Sequence, residues 1–279
     1  MRKHFFNEEF FDCVDSEEKA YWLGFIVADG HVSSRHRAIE IGLAVKDEAH
    51  LRLFCKAVGY DGELQPKNNG KACVLRLYSF HMYNSLTGIH QITSNKTFDC
   101  KPINNLPDDL LTAFWRGVFD GDGCFCKYGR VLKSGRVRTE WSASFVGTLD
   151  MVIGLQNYLS QVSGVTVKGT VTQIGGVYRL MMSGWKPAQI VASVLYQSAN
   201  VVLARKQNLA KELLSISEPA PIISHYTAKE LIPMKEKHLS WERVAQELGV
   251  SRNGLYKHVR KLKIPLEPRK KWKRQATSC

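Results

Sequence analysis

The chain has no apolar run near the roughly 20 residues that a membrane-spanning helix requires. Its start, MRKHFFNEEFFD, has neither the apolar core nor the small-residue cleavage site of a secretory signal. No membrane association is expected. Cysteine is sparse and unpaired in pattern: seven residues, scattered singly apart from Cys124 and Cys126, with no CxxC spacing. That favours free thiols in a reducing compartment over disulfides or structural zinc. No grouping suggests a Ser, Cys or His nucleophile. Acidic residues are also short, 26 against 39 Lys and Arg, which leaves a net charge of +13. Phosphate-rich partners are the commonest reason for such a balance.

What remains is an ordinary soluble composition, 44% hydrophobic over 279 residues, long enough for more than one domain and a substantial core. Two stretches stand out, Ala20 to Gly30 (AYWLGFIVADG) and Ala113 to Gly123 (AFWRGVFDGDG). At a constant offset of 93 they pair Ala20 with Ala113, Trp22 with Trp115, Gly24 with Gly117, Ala28 with Gly121, Asp29 with Asp122 and Gly30 with Gly123. Six identities or near-identities at one offset imply duplication. Both read as helices: one follows the N-cap Ser16 with Glu17 and Glu18 in its first turn, the other opens at Pro107 with Asp108 and Asp109. Each is expected to end at its final glycine acting as a C′ residue. Ala20, Gly24, Ala28 and Ala113, Gly117, Gly121 recur every fourth position, so each helix carries a small-residue stripe along which two backbones can approach closely.

If the stripes meet, Asp29 and Asp122 come together at two helix C-termini. The helix dipole is negative there and the carboxylates repel each other, so stability alone would not choose them. A bound cation is the simplest compensation, and hard oxygen ligands point to Mg²⁺ rather than zinc.

WLGFIVADG and WRGVFDGDG resemble the two motifs of a single-chain LAGLIDADG homing endonuclease, over roughly residues 16 to 210. The resemblance implies that the acid before the last glycine is a metal ligand, so Asp29 and Asp122 each serve one strand of a DNA duplex with Mg²⁺, for which Mn²⁺ or Ca²⁺ can substitute in binding. The backbone oxygens of Ala28 and Gly121 are implied as further ligands, and Lys96 (in SNKT) and Lys206 (in ARKQ) as catalytic lysines beside the scissile phosphates. One departure is Val27, where the motif often has a second acid; the second copy keeps Asp120 there. That position is not the metal-binding one in the family.

Along the chain, residues 31 to 46 alternate as a half-buried strand, with Ile39, Ile41 and Leu43 on one face. A helix from about Asp47 to Val58, a hairpin around Asn68, Asn69 and Gly70, and a helix from Phe80 to Thr87 follow. The second half repeats the plan: a hairpin turning near Ser134 and Gly135, a helix from about Leu149 to Val162, a hairpin turning at Gly175 and Gly176, and a helix from about Pro187 to Tyr196. The fold class is therefore α/β (α+β), two pseudo-twofold-related αββαββα repeats at 1–97 and 98–214. Paired strands with polar outer faces can enter a major groove. Candidates for DNA contact are Arg35, Arg37, Lys67, Asn69, Lys71 and Arg76 in the first repeat. In the second they are Lys127, Arg130, Lys133, Arg136, Arg138, Lys168, Gln173 and Arg179.

After a linker at 215–225 the pattern changes. Residues 225 to 279 hold 14 Lys and Arg against 5 Asp and Glu, so the positive charge is concentrated here. SWERVAQELGVSRNGLYKHVRKLKI resembles a helix-turn-helix: Val244, Ala245 and Leu248 inward on one helix, a turn at Gly249 to Ser251, and Leu255, Val259 and Leu262 inward on the next. Arg252, Asn253, Tyr256, Lys257 and Arg260 form the exposed face that would meet DNA. The domain spans 226–279 and ends in a basic run, PRKKWKRQ, suited to phosphate.

The resemblance implies a monomer that binds double-stranded DNA without an obligate protein partner and cuts a long asymmetric site by metal-dependent phosphodiester hydrolysis, leaving short 3′ overhangs. The expected setting is cytoplasmic, bacterial or phage-encoded and nucleoid-associated, with an organellar one possible and intron homing as the biological role. Two alternatives use the same core: a catalytically silent transcriptional regulator and an RNA-splicing maturase. Intact acids in both motifs argue against the first.

Overall fold

A computed structural model describes residues 4–103, 105–131, 137–216, 223 and 226–266, without the side chains of 137 and 138. By its internal contacts the chain forms two units, Met1–Ser215 and Ile216–Cys279.

In the first unit the two helices with the small-residue stripes are α1 (Glu17–Asp29) and, defined here ahead of its turn in the chain, α5 (Asp108–Asp122). The Ser16 hydroxyl accepts from the Lys19 amide, and Pro107 precedes α5. Ala20 through Val27 and Ala113 through Asp120 are all buried. A helix buried on every side must lie inside the molecule, not on it. Contact between the two is backbone to backbone: a Cβ added at Gly24 would lie 2.0 Å from the Phe114 carbonyl oxygen, and one at Gly117 2.0 Å from that of Tyr21. The stripe is thus a steric requirement.

Around this pair the first half adds β1 (Gly30–Ser33), β2 (Ala38–Ala44), α2 (Glu48–Ala57), β3 (Gln65–Lys67), β4 (Ala72–Tyr78), α3 (Phe80–Asn84), which runs on in a wider turn to Ile89, and the short α4 (Lys96–Asp99). The second half adds β5 (Gly123–Val131), β6 (Val137–Gly147), α6 (Leu149–Ser163), β7 (Thr170–Ile174), β8 (Val177–Ser183), α7 (Trp185–Tyr196) and α8 (Ala204–Leu214). Each half forms one antiparallel sheet, ordered β1-β2-β4-β3 and β5-β6-β8-β7. Equivalent order in both sheets is the structural form of the sequence repeat.

Three local readings change. The strand expected over 31 to 46 is broken by a turn in which Arg37 has φ 48°, so it becomes two paired strands. Gly30 is not a left-handed C′ residue: its φ is −76°, extended, and glycine is needed because a Cβ would lie 2.7 Å from the Ile26 carbonyl oxygen. Gly123 is likewise extended, with a Cβ meeting the Phe119 ring at 2.4 Å. Finally, α8 is a full helix where the sequence offered only an isolated lysine. The turn expected at Ser134 and Gly135 lies outside the described residues.

The described residues of the second unit hold three helices, α9 (Ala228–His238), α10 (Trp241–Glu247) and α11 (Arg252–Lys261), around Leu231, Trp241, Val244, Ala245, Leu248, Leu255, Val259 and Ile264. Helix α9 adds to the pair expected from sequence. A Thr227–Glu230 capping box starts it. Ser240 and Ser251 cap α10 and α11, and Gly249, with φ 60°, turns the chain between them. The basic run PRKKWKRQ lies outside the described residues.

Candidate active site and nucleic-acid face

Asp29 and Asp122 are the last residues of α1 and α5, and the stripe brings those ends together: a Cβ on Gly121 would lie 2.3 Å from the Ala28 Cβ and 3.3 Å from the Asp29 amide nitrogen. Both carboxylates open to solvent yet are crowded by the paired helix ends. Crowding out of water pushes Asp29 up from the usual carboxylate range, while Lys206 and Lys96 pull it down. Asp122 is pushed up to about 6, first by burial and then by the Asp29 charge. Two crowded acids, one of which also discourages the other's ionisation, stand to gain from a cation.

Two lysines already supply positive charge. Lys96, at the start of α4, donates from Nζ to the Val27 and Ala28 carbonyls at 2.7 and 2.5 Å. Lys206, in the first turn of α8 and buried, donates to the carbonyls of Phe119, Asp120 and Gly121 at 2.6, 2.7 and 3.4 Å. Each ammonium therefore sits on the open carbonyls at one helix C-terminus, where four backbone acceptors lack an intrahelical partner. Burial lowers Lys96 and brings Lys206 down to about 8, opposed chiefly by Asp122 for the former and Asp120 for the latter. The Ala28 and Gly121 oxygens assigned to metal thus accept lysine hydrogen bonds as well.

The donor set suits a hard divalent cation: two adjacent carboxylates with raised pKa values and two main-chain oxygens. Among the described residues no cluster of three or more His, Cys, Asp or Glu could hold a metal. Any ion here rests on this pair and the main chain. A cleft of about 200 Å³ opens beside it, lined by Ala28, Lys96, Cys100, Asp122, Phe145 and Thr148 among others. Larger cavities of about 660 and 600 Å³ lie elsewhere, the first beside Arg116 and the second beside Arg76.

No family model matches the chain, and no curated protein matches it. Among solved structures the chain is similar to the meganuclease I-SmaMI bound to an uncleaved DNA target in the presence of calcium ions, at 14% identity and TM-score 0.49, over 88% of this chain and 97% of that one. It is similar to the I-LtrWI LAGLIDADG homing endonuclease bound to target DNA, at 10% identity and TM-score 0.48, over 92% and 98%. A third is the LAGLIDADG meganuclease I-AabMI bound to uncleaved DNA, at 13% and 0.46, over 77% and 96%.

Strand register sorts the basic candidates by face. In the first sheet Arg76 pairs with Glu40 across β4 and β2, and its Nε donates to that carboxylate at 2.5 Å. Lys67 reaches the same acid at 3.3 Å, so Glu40 lies below the usual carboxylate range. His31 stands opposite Glu40 on the same face, with Gln65 and Tyr78 alongside, and the sequence reading missed all three. Arg35, Asn69 and Lys71 lie exposed in the connecting turns, and Arg37 stacks on the Tyr83 ring at 4.7 Å.

In the second sheet two candidates lie on the face opposite to the others. Lys127 has the parity of Phe125 and pairs with buried Trp141; its ammonium meets Glu212 of α8, so it belongs to the helix-facing side. Gln173 pairs with Tyr178 on the face that carries Leu180, opposite to Arg179. A period of two makes this sorting unforgiving, since one residue of register exchanges the faces. Arg130 and Arg179 point outward and Lys168 is exposed ahead of β7, while Arg130 is tethered to Glu140 at 3.4 Å. Lys133 and Arg136 lie outside the described residues, as does the side chain of Arg138.

In the second unit Arg252 and Tyr256 of α11 both reach Glu242 of α10, at 2.6 and 2.9 Å. Asn253, Lys257 and Arg260 are exposed.

Sequence reasoning also missed a buried polar network beneath the site. Asp120, fully buried, accepts from the Tyr196 hydroxyl at 2.6 Å, the Tyr21 hydroxyl at 2.8 Å and the Leu203 amide at 2.7 Å. The Tyr21 hydroxyl lies 2.7 Å from His50 Nε2. Nearby, buried Arg116 binds Glu17 and donates to the Leu195 and Val201 carbonyls at 3.2 and 2.9 Å. The one signal in the sequence was Asp120 itself, an acid in a motif copy whose partner has Val27.

Proposed function

We propose that the chain is a LAGLIDADG homing endonuclease, a site-specific, Mg²⁺-dependent enzyme that makes a double-strand break in a long asymmetric DNA site. The reading rests above all on one observation: a glycine-lined helix pair brings two motif aspartates together between two matched sheets. Asp29 and Asp122, with the Ala28 and Gly121 oxygens, would hold divalent metal. Bound there, the metal would supply an activated water and stabilise the leaving oxygen. The chain's own part is to hold two carboxylates at a negative helix end, where they gain from a cation, and to place Lys96 and Lys206 beside the phosphates. The outward residues of both sheets, Arg76, Lys67, Arg130 and Arg179 among them, would meet bases and backbone, and α11 would lengthen the footprint with Asn253, Lys257 and Arg260. Short 3′ overhangs, action as a monomer and a cytoplasmic setting belong to the same reading.

The test uses a duplex selected from a randomised pool by binding to the full chain, incubated with Mg²⁺ or with chelator. Both strands are expected to be cut in Mg²⁺ alone. Tight binding without scission would instead identify a silent regulator.

A further inference from the structure

The two halves are not equal around their lysines. On the first side Lys96 begins a helix of four residues, and the motif position two before its aspartate is the apolar Val27. On the second side Lys206 belongs to a helix of eleven residues, and the matching position is Asp120. One carboxylate there ties four helices. Its Oδ1 accepts from Tyr196 of α7, and its Oδ2 accepts from Tyr21 of α1 and from the amide of Leu203, the residue that caps α8. The Lys206 amide donates in turn to the Leu203 carbonyl at 2.9 Å, so the lysine stands one turn from the point where Asp120 holds its helix. A buried carboxyl group that accepts from three donors at 2.6 to 2.8 Å is held through both of its oxygens, which is what a polar group out of water requires.

We propose that Asp120 is a positioning residue for Lys206 alone, so that the two strand-cutting centres depend on different supports. The inference rests on the endonuclease reading. It assigns a role to the motif's second acid that comes from the Leu203 contact and has no counterpart at Val27. Lys206 would keep its place over the Phe119, Asp120 and Gly121 carbonyls because the start of α8 cannot shift. Lys96 has no such tether and would be indifferent to Asp120.

The experiment follows each strand separately on the selected duplex, with a different fluorophore at each 5′ end, in Mg²⁺ under single turnover. K206M first identifies the strand that Lys206 serves, by leaving that strand uncut. D120N preserves the shape of the side chain but places an amide where the Leu203 N–H or a tyrosine donates. It is expected to slow the same strand roughly ten- to a hundred-fold, with the other strand within about three-fold and DNA affinity unchanged. Equal slowing of both strands, slowing of only the strand that K206M spares, or no slowing overturns the proposal. If D120N does not unfold cooperatively, Y196F, which keeps the carboxylate and removes one donor, is expected to slow the same strand by a smaller factor, and equal slowing again overturns it. A wild-type chain that cuts neither strand defeats the endonuclease reading itself. K206M cutting both strands at the wild-type rate defeats the role of Lys206.

Discussion

At the scale of single residues, the site is a balance of four charges at two helix ends. Asp29→Asn and Asp122→Asn are each expected to abolish double-strand cleavage while leaving most DNA affinity, measured by nicking assays beside binding titrations; full cleavage by either variant removes that residue from the site. His50 supplies a second residue-level prediction. Burial pushes its ring down to about 4, so the folded chain keeps it neutral while an unfolded chain protonates near 6.5. The stability this provides is complete above about pH 6.5 and is lost as pH falls toward 4, by about 3 kcal/mol over the whole window. Asp122, raised to about 6, acts in the opposite sense, since the folded state takes up its proton first as pH falls. In chelator, urea midpoints at pH 7 and pH 5 should therefore fall less in His50→Gln than in the wild type, and more in Asp122→Asn.

The element on which the site depends is the α1–α5 pair. Gly117→Ala forces a Cβ to within 2.0 Å of a backbone oxygen, which no rotamer can relieve. The expected cost is at least about 3 kcal/mol, at or beyond the top of the usual range for overpacking. Urea unfolding measures it, and Mg²⁺-dependent cleavage should fall as well because the carboxylates move apart; a variant of wild-type stability would refute the close approach. Much of this element was legible in the sequence, since the four-residue spacing of Ala20, Gly24 and Ala28 fixes a face whatever surrounds it. Sheet faces were less legible. Lys127 and Gln173 are polar and lie in hairpins, but only strand register shows them on the sheet face opposite to Arg130 and Arg179. Helix α8 was hidden for a related reason: its sequence, ARKQNLAKELL, is too polar to announce a buried lysine.

For the whole molecule, positive charge is unevenly distributed along the chain. The described residues of the second unit pack three helices around one small core, and the last fifth of the chain carries a large share of the positive charge. Removing residues 226 to 279 is expected to weaken DNA binding and reduce the slope of log affinity against log salt, by about 0.9 for each phosphate that the shortened chain no longer neutralises. Unchanged affinity and slope would leave this unit without a part in binding.

The sequence by itself determined the repeat, the two helices, the meeting faces and the pair of acids at their ends, because periodicity and dipole act locally and an offset can be counted. Tertiary structure alone decided which carbonyls Lys96 and Lys206 occupy, which strand residues face outward, and that Asp120 is held by Tyr21, Tyr196 and Leu203. Those hydrogen bonds join residues that are distant in the chain. They form only when desolvation drives each buried charge to find partners, and no local pattern encodes which partners it will find.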